Sequence, residues 1–337
     1  MNEETGPQSR VRLSDVARVA GVSTATVSRV LSNPGLVAMA TRDAVAEAVR
    51  RTGYRMNHAA RNLRKGRTGC VVALVPNLGN PFFAKILDGM GRGLAAEGYD
   101  LLVADTHDHR SLAATLHRFQ DPSRADGIIL LDGRAAAADL RPAPDLPPVV
   151  TACEWVPGAD LPRVMLDNRM GARLAITHLR QLGHRRIGLI GGPAANVLHQ
   201  ARLAGAQDAA GDLPMIQFEG DFSLQSGQEA ARRWLAMPPA SRPSAIFAFS
   251  DEMACGFVAD VMRAGMRVPA DVSVIGFDDI ELASHLFPAL TTIRQPKRDL
   301  GRMAAQVVLA VIAGKAVPPV TLLEPQLMPR ETTATWG

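Results

Sequence analysis

From Cys70 onward the chain alternates short apolar runs with longer segments of helical spacing, and few folds accept that alternation. Cys70–Val75 (CVVALV), bounded by Pro76, is apolar at every position. Such a run offers no polar face to water, so it reads as a strand buried on both sides of a parallel sheet. A helix is expected at Pro81–Glu97, a strand at Tyr99–Ala104, a helix at Ser111–Phe119, and strands at Gly127–Leu131 and Val149–Ala152. The rhythm then restarts with strands at Arg186–Ile190, Met215–Phe218, Ala245–Phe249 and Val272–Phe277. Helices at Val197–Ala210, Ser223–Ala236 and Asp251–Ala264 fall between them. Two such series predict two doubly wound parallel-sheet subdomains, an α/β core. The Ala-rich stretch Leu300–Ala313 predicts a helix that returns the chain to the first subdomain.

The first 67 residues do not share this rhythm, and their charge is different. Residues 10–67 hold twelve Lys/Arg and three acids, while the whole 337-residue chain is only +4. A basic module on a mildly acidic body is the electrostatic footprint of a polyanion binder. The longest uninterrupted apolar run is Val307–Ala313, far short of the roughly 20 residues of a membrane span, so no membrane partner is expected. The polar, acidic start Met1-Asn-Glu-Glu-Thr reads against a secretory signal. Three scattered cysteines without a C-x-x-C fit a reducing cytoplasm better than a disulfide framework or zinc site.

Within the basic module, residues 13–33 (LSDVARVAGVSTATVSRVLSN) carry the most specific signal. Ser14 is placed to cap a first helix, with Val16, Ala17 and Ala20 inward. Gly21 suits the left-handed turn position. Ser23 then caps a second helix whose Val27, Val30 and Leu31 face inward at helical spacing. Two short helices joined by a glycine turn form the helix-turn-helix that puts its second helix in the major groove of DNA. Ser23, Thr26 and Ser28 suit phosphate contacts, and Arg29 a phosphate or base edge. Thr24 and Ala25 are short and partly apolar, suited to a thymine methyl. Ser14, Asn33 and Tyr54 complete the expected DNA-contact set.

The chain resembles the lactose-repressor (LacI/GalR) family of bacterial transcription regulators. The resemblance rests on Asp15-Val-Ala, Ala20-Gly-Val-Ser, Thr26-Val-Ser-Arg-Val-Leu, Gly53-Tyr54 and Asn57-x-x-Ala60-Arg61-x-Leu63 in the head. It continues through Asn80-Pro-Phe-Phe83, Gly183-His-Arg-Arg-Ile187, Arg202-Leu-Ala-Gly205, Gly276-Phe-Asp278 and Leu290-Thr-Thr-Ile293-x-Gln-Pro296, so it spans nearly the whole chain. Residues 1–11, polar with Gly6 and Pro7, read as a disordered tail, and the resemblance implies a helix-turn-helix head at 12–56. A hinge follows at 57–67, then a periplasmic-binding-protein-like core at 68–337. The core would divide into an N-subdomain of about 68–167 plus 296–323 and a C-subdomain of about 168–295 plus 324–337. In the hinge, Leu63 would wedge into the minor groove, Ala60 would let paired helices approach, and Asn57 and Arg61 would hold groove edges or backbone. Met56 stands where the family usually has proline.

Open parallel sheets bind ligands beyond the carboxyl ends of their strands. Those ends carry Asn77, Phe82, Phe83, Asp105, Glu154, Trp155, Asn196, Arg202, Phe222, Ser250, Asp251, Phe277 and Asp278. An Arg–Asp pair suits vicinal hydroxyls, and aromatic faces suit a base or sugar ring. The resemblance puts Arg202 and Asp278 first among ligand contacts, then Phe82, Phe83, Phe222 and Asp251, with Glu154 and Asn196 beside them. Its cytidine- and purine-repressor branch is carried by Leu146-Pro-Pro-Val-Val, Gly220-Asp-Phe222 and Ala152-x-Glu154. That branch favours a nucleoside or nucleobase effector over a sugar. The reading is a homodimeric, ligand-controlled regulator, most often a repressor, on palindromic operator DNA. The sequence ends soon after Arg330, without a leucine-heptad tail, so a dimer is the expected state.

The alternatives are a periplasmic-type small-molecule carrier without a DNA role, and an enzyme using the cleft. No G-x-S-x-G or H-E-x-x-H occurs, so no catalysis, cofactor or metal is expected. Gly89-x-Gly91-x-Gly93 lies inside a predicted helix and lacks the spacing of a dinucleotide loop. Pro193 after Gly191-Gly192 removes an amide that a phosphate cradle needs. His107-Asp108-His109 reads as a polar loop.

Overall fold

The computed structural model describes residues 11–54, 67–106 and 111–337. The chain divides into two compact units, residues 1–66 and 67–337. The tail at 1–10, the hinge residues Asn57, Ala60, Arg61 and Leu63, and His107-Asp108-His109 lie outside the described residues.

The head has helices at Leu13–Ala20, Thr24–Ser32 and Met39–Thr52, with a 3-10 turn at Pro34–Leu36. Val16, Ala17, Val27, Val30, Val45 and Ala48 form its core. Gly21 turns the chain at φ 67°, and Gly53 ends the third helix at φ 65°. One sequence expectation is corrected here. Ser14 does not cap the first helix, which already starts at Leu13. The cap is Arg12, whose backbone N–H donates to the Asp15 carboxylate at 2.9 Å. An acid three residues into a helix satisfies one of its orphan amides, which leaves the Ser14 hydroxyl at the surface.

Among the described residues, the body holds twelve strands in two six-stranded sheets. The first runs in the order β11 (Val320–Leu323), β5 (Arg163–Leu166), β4 (Val149–Ala152), β3 (Gly127–Leu130), β1 (Cys70–Val75), β2 (Asp100–Asp105). The second runs β12 (Gln326–Met328), β10 (Thr291–Arg294), β9 (Ser273–Asp278), β8 (Ala245–Ala248), β6 (Ile187–Ile190), β7 (Met215–Phe218). Every pairing is parallel except β10 with β12. β3, β4, β6, β8 and β9 are buried at every residue, as strands covered on both faces must be.

The chain crosses between the lobes three times: after β5, after β10 and after β11. The helix Lys297–Ile312 follows the second crossing and packs on Phe82–Ala95 in the first lobe. Their axes approach closely because Gly89 and Gly301 have no side chains. A Cβ at Gly89 would stand 2.2 Å from the Arg298 carbonyl oxygen, and one at Gly301 2.0 Å from that of Ile86. The glycine series beginning at Gly89 is therefore a helix-packing seam. The helix Asn168–Gln181 and strands β5, β10, β11 and β12 were absent from the sequence expectation. That helix is started by Asp167, whose carboxylate accepts the Met170 N–H at 2.8 Å.

A candidate ligand cleft and a candidate nucleic-acid interface

In the head, Ser23 caps the second helix, accepting the Thr26 N–H at 3.1 Å. Its hydroxyl also bonds that of Thr26 at 2.9 Å, so these two hydroxyls support the helix start as well as facing outward. Thr24, Ala25, Ser28 and Arg29 are exposed on one helix with no core role, and Asn33 is exposed at its end. Tyr54 is half-buried and packs on the head core. A rigid helix start presenting short polar side chains and one guanidinium is suited to a groove and its phosphates.

In the body, a cavity of about 510 Å³ opens between the carboxyl ends of the two sheets. Phe82, Phe83, Glu154, Asn196, Arg202, Phe222 and Asp278, all expected from sequence, line it, as do Asn77 and Ser250. Arg202 is 2% exposed. Its Nε donates to Asn168 Oδ1 at 2.9 Å and its Nη1 to the Phe249 carbonyl. Its guanidinium lies 3.7 Å from the centre of the Phe277 ring, and its Nη2 is 3.9 Å from Asp278 Oδ1. Burial pulls its pKa down from the usual guanidinium value, opposed first by Asp278. Phe277 is thus the floor beneath Arg202 and is itself fully buried.

Asp278 sits at φ 119°, a strained position for a side-chain-bearing residue. The strain is held from the second crossing. Gln295 Nε2 donates to Asp278 Oδ1 at 2.6 Å, and Lys297 Nζ donates to the carbonyls of Asp278 and Asp279. Burial raises the Asp278 carboxyl well above the usual range, offset by Arg202 and Lys297.

Asp251 departs from its expected place. It is fully buried and absent from the cavity wall. Its carboxylate accepts the Thr292 hydroxyl at 2.5 Å and the Ile280 N–H at 2.8 Å. It braces the turn after β9 from behind, and a Cβ at Gly276 would collide with it at 2.2 Å. Glu154 and Asn196 reach the wall but bond each other, Asn196 Nδ2 donating to Glu154 Oε1 at 2.9 Å. Trp155 and Asp105 are not in the lining, and the Asp105 carboxylate accepts the Leu78 N–H at 3.3 Å.

Sequence reasoning missed Asp132 and Arg134 on the first-lobe wall, although they follow β3 by the same strand-end rule. Asp132 accepts Arg134 Nε at 2.9 Å and Nη2 at 2.6 Å, and the Thr106 hydroxyl at 2.6 Å. Burial alone would raise its carboxyl, but these bonds hold it below the usual range. With Asp221, the wall carries four carboxylates against two guanidiniums among the described residues. Among those residues, no cluster of His, Cys, Asp and Glu is arranged to hold a metal ion.

Residues 12–57 match the family described as bacterial regulatory proteins, lacI family, and residues 176–333 match a periplasmic binding protein-like domain. The chain is 36% identical over 316 residues to the HTH-type transcriptional repressor CytR of Escherichia coli (strain K12), spanning 92% of each chain. It is 35% identical over 314 residues to the HTH-type transcriptional repressor PurR of Aliivibrio fischeri (strain MJ11), spanning 90% of this chain and 92% of that one. A crystal structure of the lac repressor dimer bound to operator and the anti-inducer ONPF superposes with a TM-score of 0.86 at 29% identity. The match covers 97% of this chain and all of that one. A transcriptional regulator CelR–cellobiose complex superposes at 0.71 with 32% identity, over 96% of this chain and all of that one.

Proposed function

The chain belongs to the lacI family of bacterial regulatory proteins, and from that premise we propose that a neutral nucleoside or nucleobase in the cleft sets its affinity for operator DNA. It is a DNA-binding transcriptional repressor under small-ligand control, working as a homodimer. The reading as a free-standing carrier is overturned by the match of residues 12–57 to the regulator family.

The observation that carries the effector class is the make-up of the cleft. Phe82 and Phe83 come from the first lobe and Phe222 from the second, so a flat ring can be held between aromatic faces. Arg202 and Asp278 lie at the wall as donor fork and acceptor for vicinal hydroxyls, as on a ribose. The excess of carboxylates over guanidiniums disfavours a phosphorylated ligand. A sugar is the second reading, supported by the same Arg–Asp pair without the aromatics.

DNA contact is assigned to Ser14, Ser23, Thr24, Ala25, Thr26, Ser28, Arg29, Asn33 and Tyr54, with Leu63, Asn57, Ala60 and Arg61 in the minor groove. Ligand bound to both lobes stabilises one lobe arrangement. A differential affinity of about 1–3 kcal/mol between arrangements changes operator affinity some 5–150-fold.

The test starts from duplexes selected by the purified protein out of a random pool, which should converge on a palindrome. Operator titrations then include cytidine, uridine, adenosine, guanosine, their 5′-phosphates and a sugar panel. A nucleoside should change operator affinity while its 5′-phosphate does not. A response to sugars alone, or to phosphates, overturns the effector class. Leu63→Ala should weaken operator binding far more than nonspecific binding, and equal loss on both would remove the wedge role.

A further inference from the structure

The geometry points to the Glu154–Asn196 hydrogen bond as a latch between the lobes, a polarity-matched pair that sets how far the ligand-free cleft stands open. Glu154 follows β4 in the first sheet, and Asn196 follows β6 in the second. Their 2.9 Å bond therefore ties, across the cleft, two bodies that also share the three chain crossings and a continuous apolar core. A cross-lobe ion pair, Lys85 Nζ to Glu281 Oε2 at 2.9 Å, has side chains 41% and 73% exposed. A pair so open to water contributes little.

Each partner is locked in orientation by its own lobe. Asn196 caps the helix Val197–Ala210, its Oδ1 accepting the Leu198 N–H at 2.8 Å and the His199 N–H at 3.3 Å. That capping decides which end of the amide is oxygen, so its Nδ2 has to face the first lobe. Glu154 Oε2 accepts the Gly133 N–H at 2.7 Å, which directs Oε1 outward. The first lobe thus presents an acceptor and the second a donor, each fixed before they meet. A carboxylate accepting an amide N–H in a half-buried site makes a charge-assisted bond. Both side chains are already engaged by their own lobes and by each other, so they act on the cleft as positioning residues.

This donor–acceptor logic gives an experiment that separates the latch from ordinary packing. Asn196→Asp keeps the cap, because aspartate accepts the same two amides, but sets a carboxylate against Glu154. Glu154→Gln leaves one donor facing a donor, either at Gly133 or at Asn196. In the double variant, the new amide at position 154 accepts from Gly133 with its oxygen. Its nitrogen donates to the new carboxylate at position 196, so every group is satisfied again.

The measurements are small-angle scattering and amide exchange on the full chain without effector or DNA. Asn196→Asp should enlarge the radius of gyration and speed Gly133 exchange about tenfold, while the Leu198 and His199 amides stay protected as an internal check on the cap. The double variant should return Gly133 exchange to within about twofold of wild type and the radius of gyration to the wild-type value. Unchanged scattering and exchange in Asn196→Asp would overturn the latch. So would a double variant no closer to wild type than the single ones. Neither readout uses a nucleoside, so the result stands apart from the effector class.

Discussion

On the first-lobe wall of the cleft, Arg134 grips Asp132 with Nε and Nη2 at 2.9 and 2.6 Å, whereas across the cleft Arg202 stands 3.9 Å from Asp278. The guanidiniums differ in exposure, the Arg134 side chain being 58% exposed and that of Arg202 3%, while both carboxylates are buried. The two geometries suit different tasks. A bidentate pair largely satisfies itself, so Arg134 and Asp132 offer a ligand little beyond a shaped rim. Arg202 is instead fixed by Asn168, the Phe249 carbonyl and the Phe277 ring, and Asp278 by Gln295 and Lys297. Each is held by others at a spacing too long for a tight mutual bond. Under the proposed function, a ligand hydroxyl bridging them would use that residual attraction, which low local dielectric makes worth more than at the rim.

The contrast predicts that the buried guanidinium dominates effector binding. Arg202→Met should abolish the effector's effect on operator affinity, with at least about 100-fold weaker effector binding by calorimetry, equivalent to roughly 2.7 kcal/mol. It also takes the nearer guanidinium from the buried Asp278 carboxylate, leaving Lys297, so the melting temperature should fall by on the order of 5–10 °C. An Arg202→Met protein that still responds to effector would break the comparison outright. Asp278→Asn keeps the shape but loses the charged acceptor, and should weaken effector binding about 10- to 30-fold, roughly 1.5–2 kcal/mol.

The pH dependence sharpens the same point. Burial pushes the Asp278 carboxyl up to about 6. A ligand hydroxyl prefers the ionised form, so effector affinity should be flat above that value and fall as pH drops through it. Stability runs the other way. Between the unfolded value near 4 and the folded value, the folded chain holds more protons at this site. Its contribution to stability therefore rises as pH falls through that window. Comparing wild type with Asp278→Asn isolates both slopes, and a variant that retains the wild-type pH profile of binding would contradict the assignment. Arg134→Met should have the smallest effect on binding, about a two- to fivefold change in effector affinity, although the melting temperature should fall because the buried Asp132 carboxylate loses its guanidinium. A loss there as large as that of Arg202→Met would make the rim the principal subsite.

Most of the strands were legible because parallel strands must be apolar on both faces, and CVVALV or AIFA admits few other readings. The helix Asn168–Gln181 was harder to see. Its apolar residues are interrupted by Arg169, Arg173, His178 and Arg180, and its start depends on a single cap at Asp167. β10 and β12 are three or four residues long and gain identity only from their neighbours in the second sheet. Asp251 was misplaced for a related reason. Strand-end position is readable from sequence, but whether a carboxylate there faces the cavity or turns back to an amide depends on backbone far away in the chain, at Ile280 and Thr292.

Local chemistry on its own determined the elements whose causes are local. These are the Gly21 turn, the Ser23 cap, the charge of the head, and the alternation of strands and helices. Only the tertiary structure decided which oxygen meets which donor. It committed Asp251 to a turn, joined Glu154 to Asn196 across the cleft, and paired Arg134 with Asp132. A hydrogen bond is selected by distances of a few tenths of an ångström between chain segments tens or hundreds of residues apart, and no composition or periodicity carries that information.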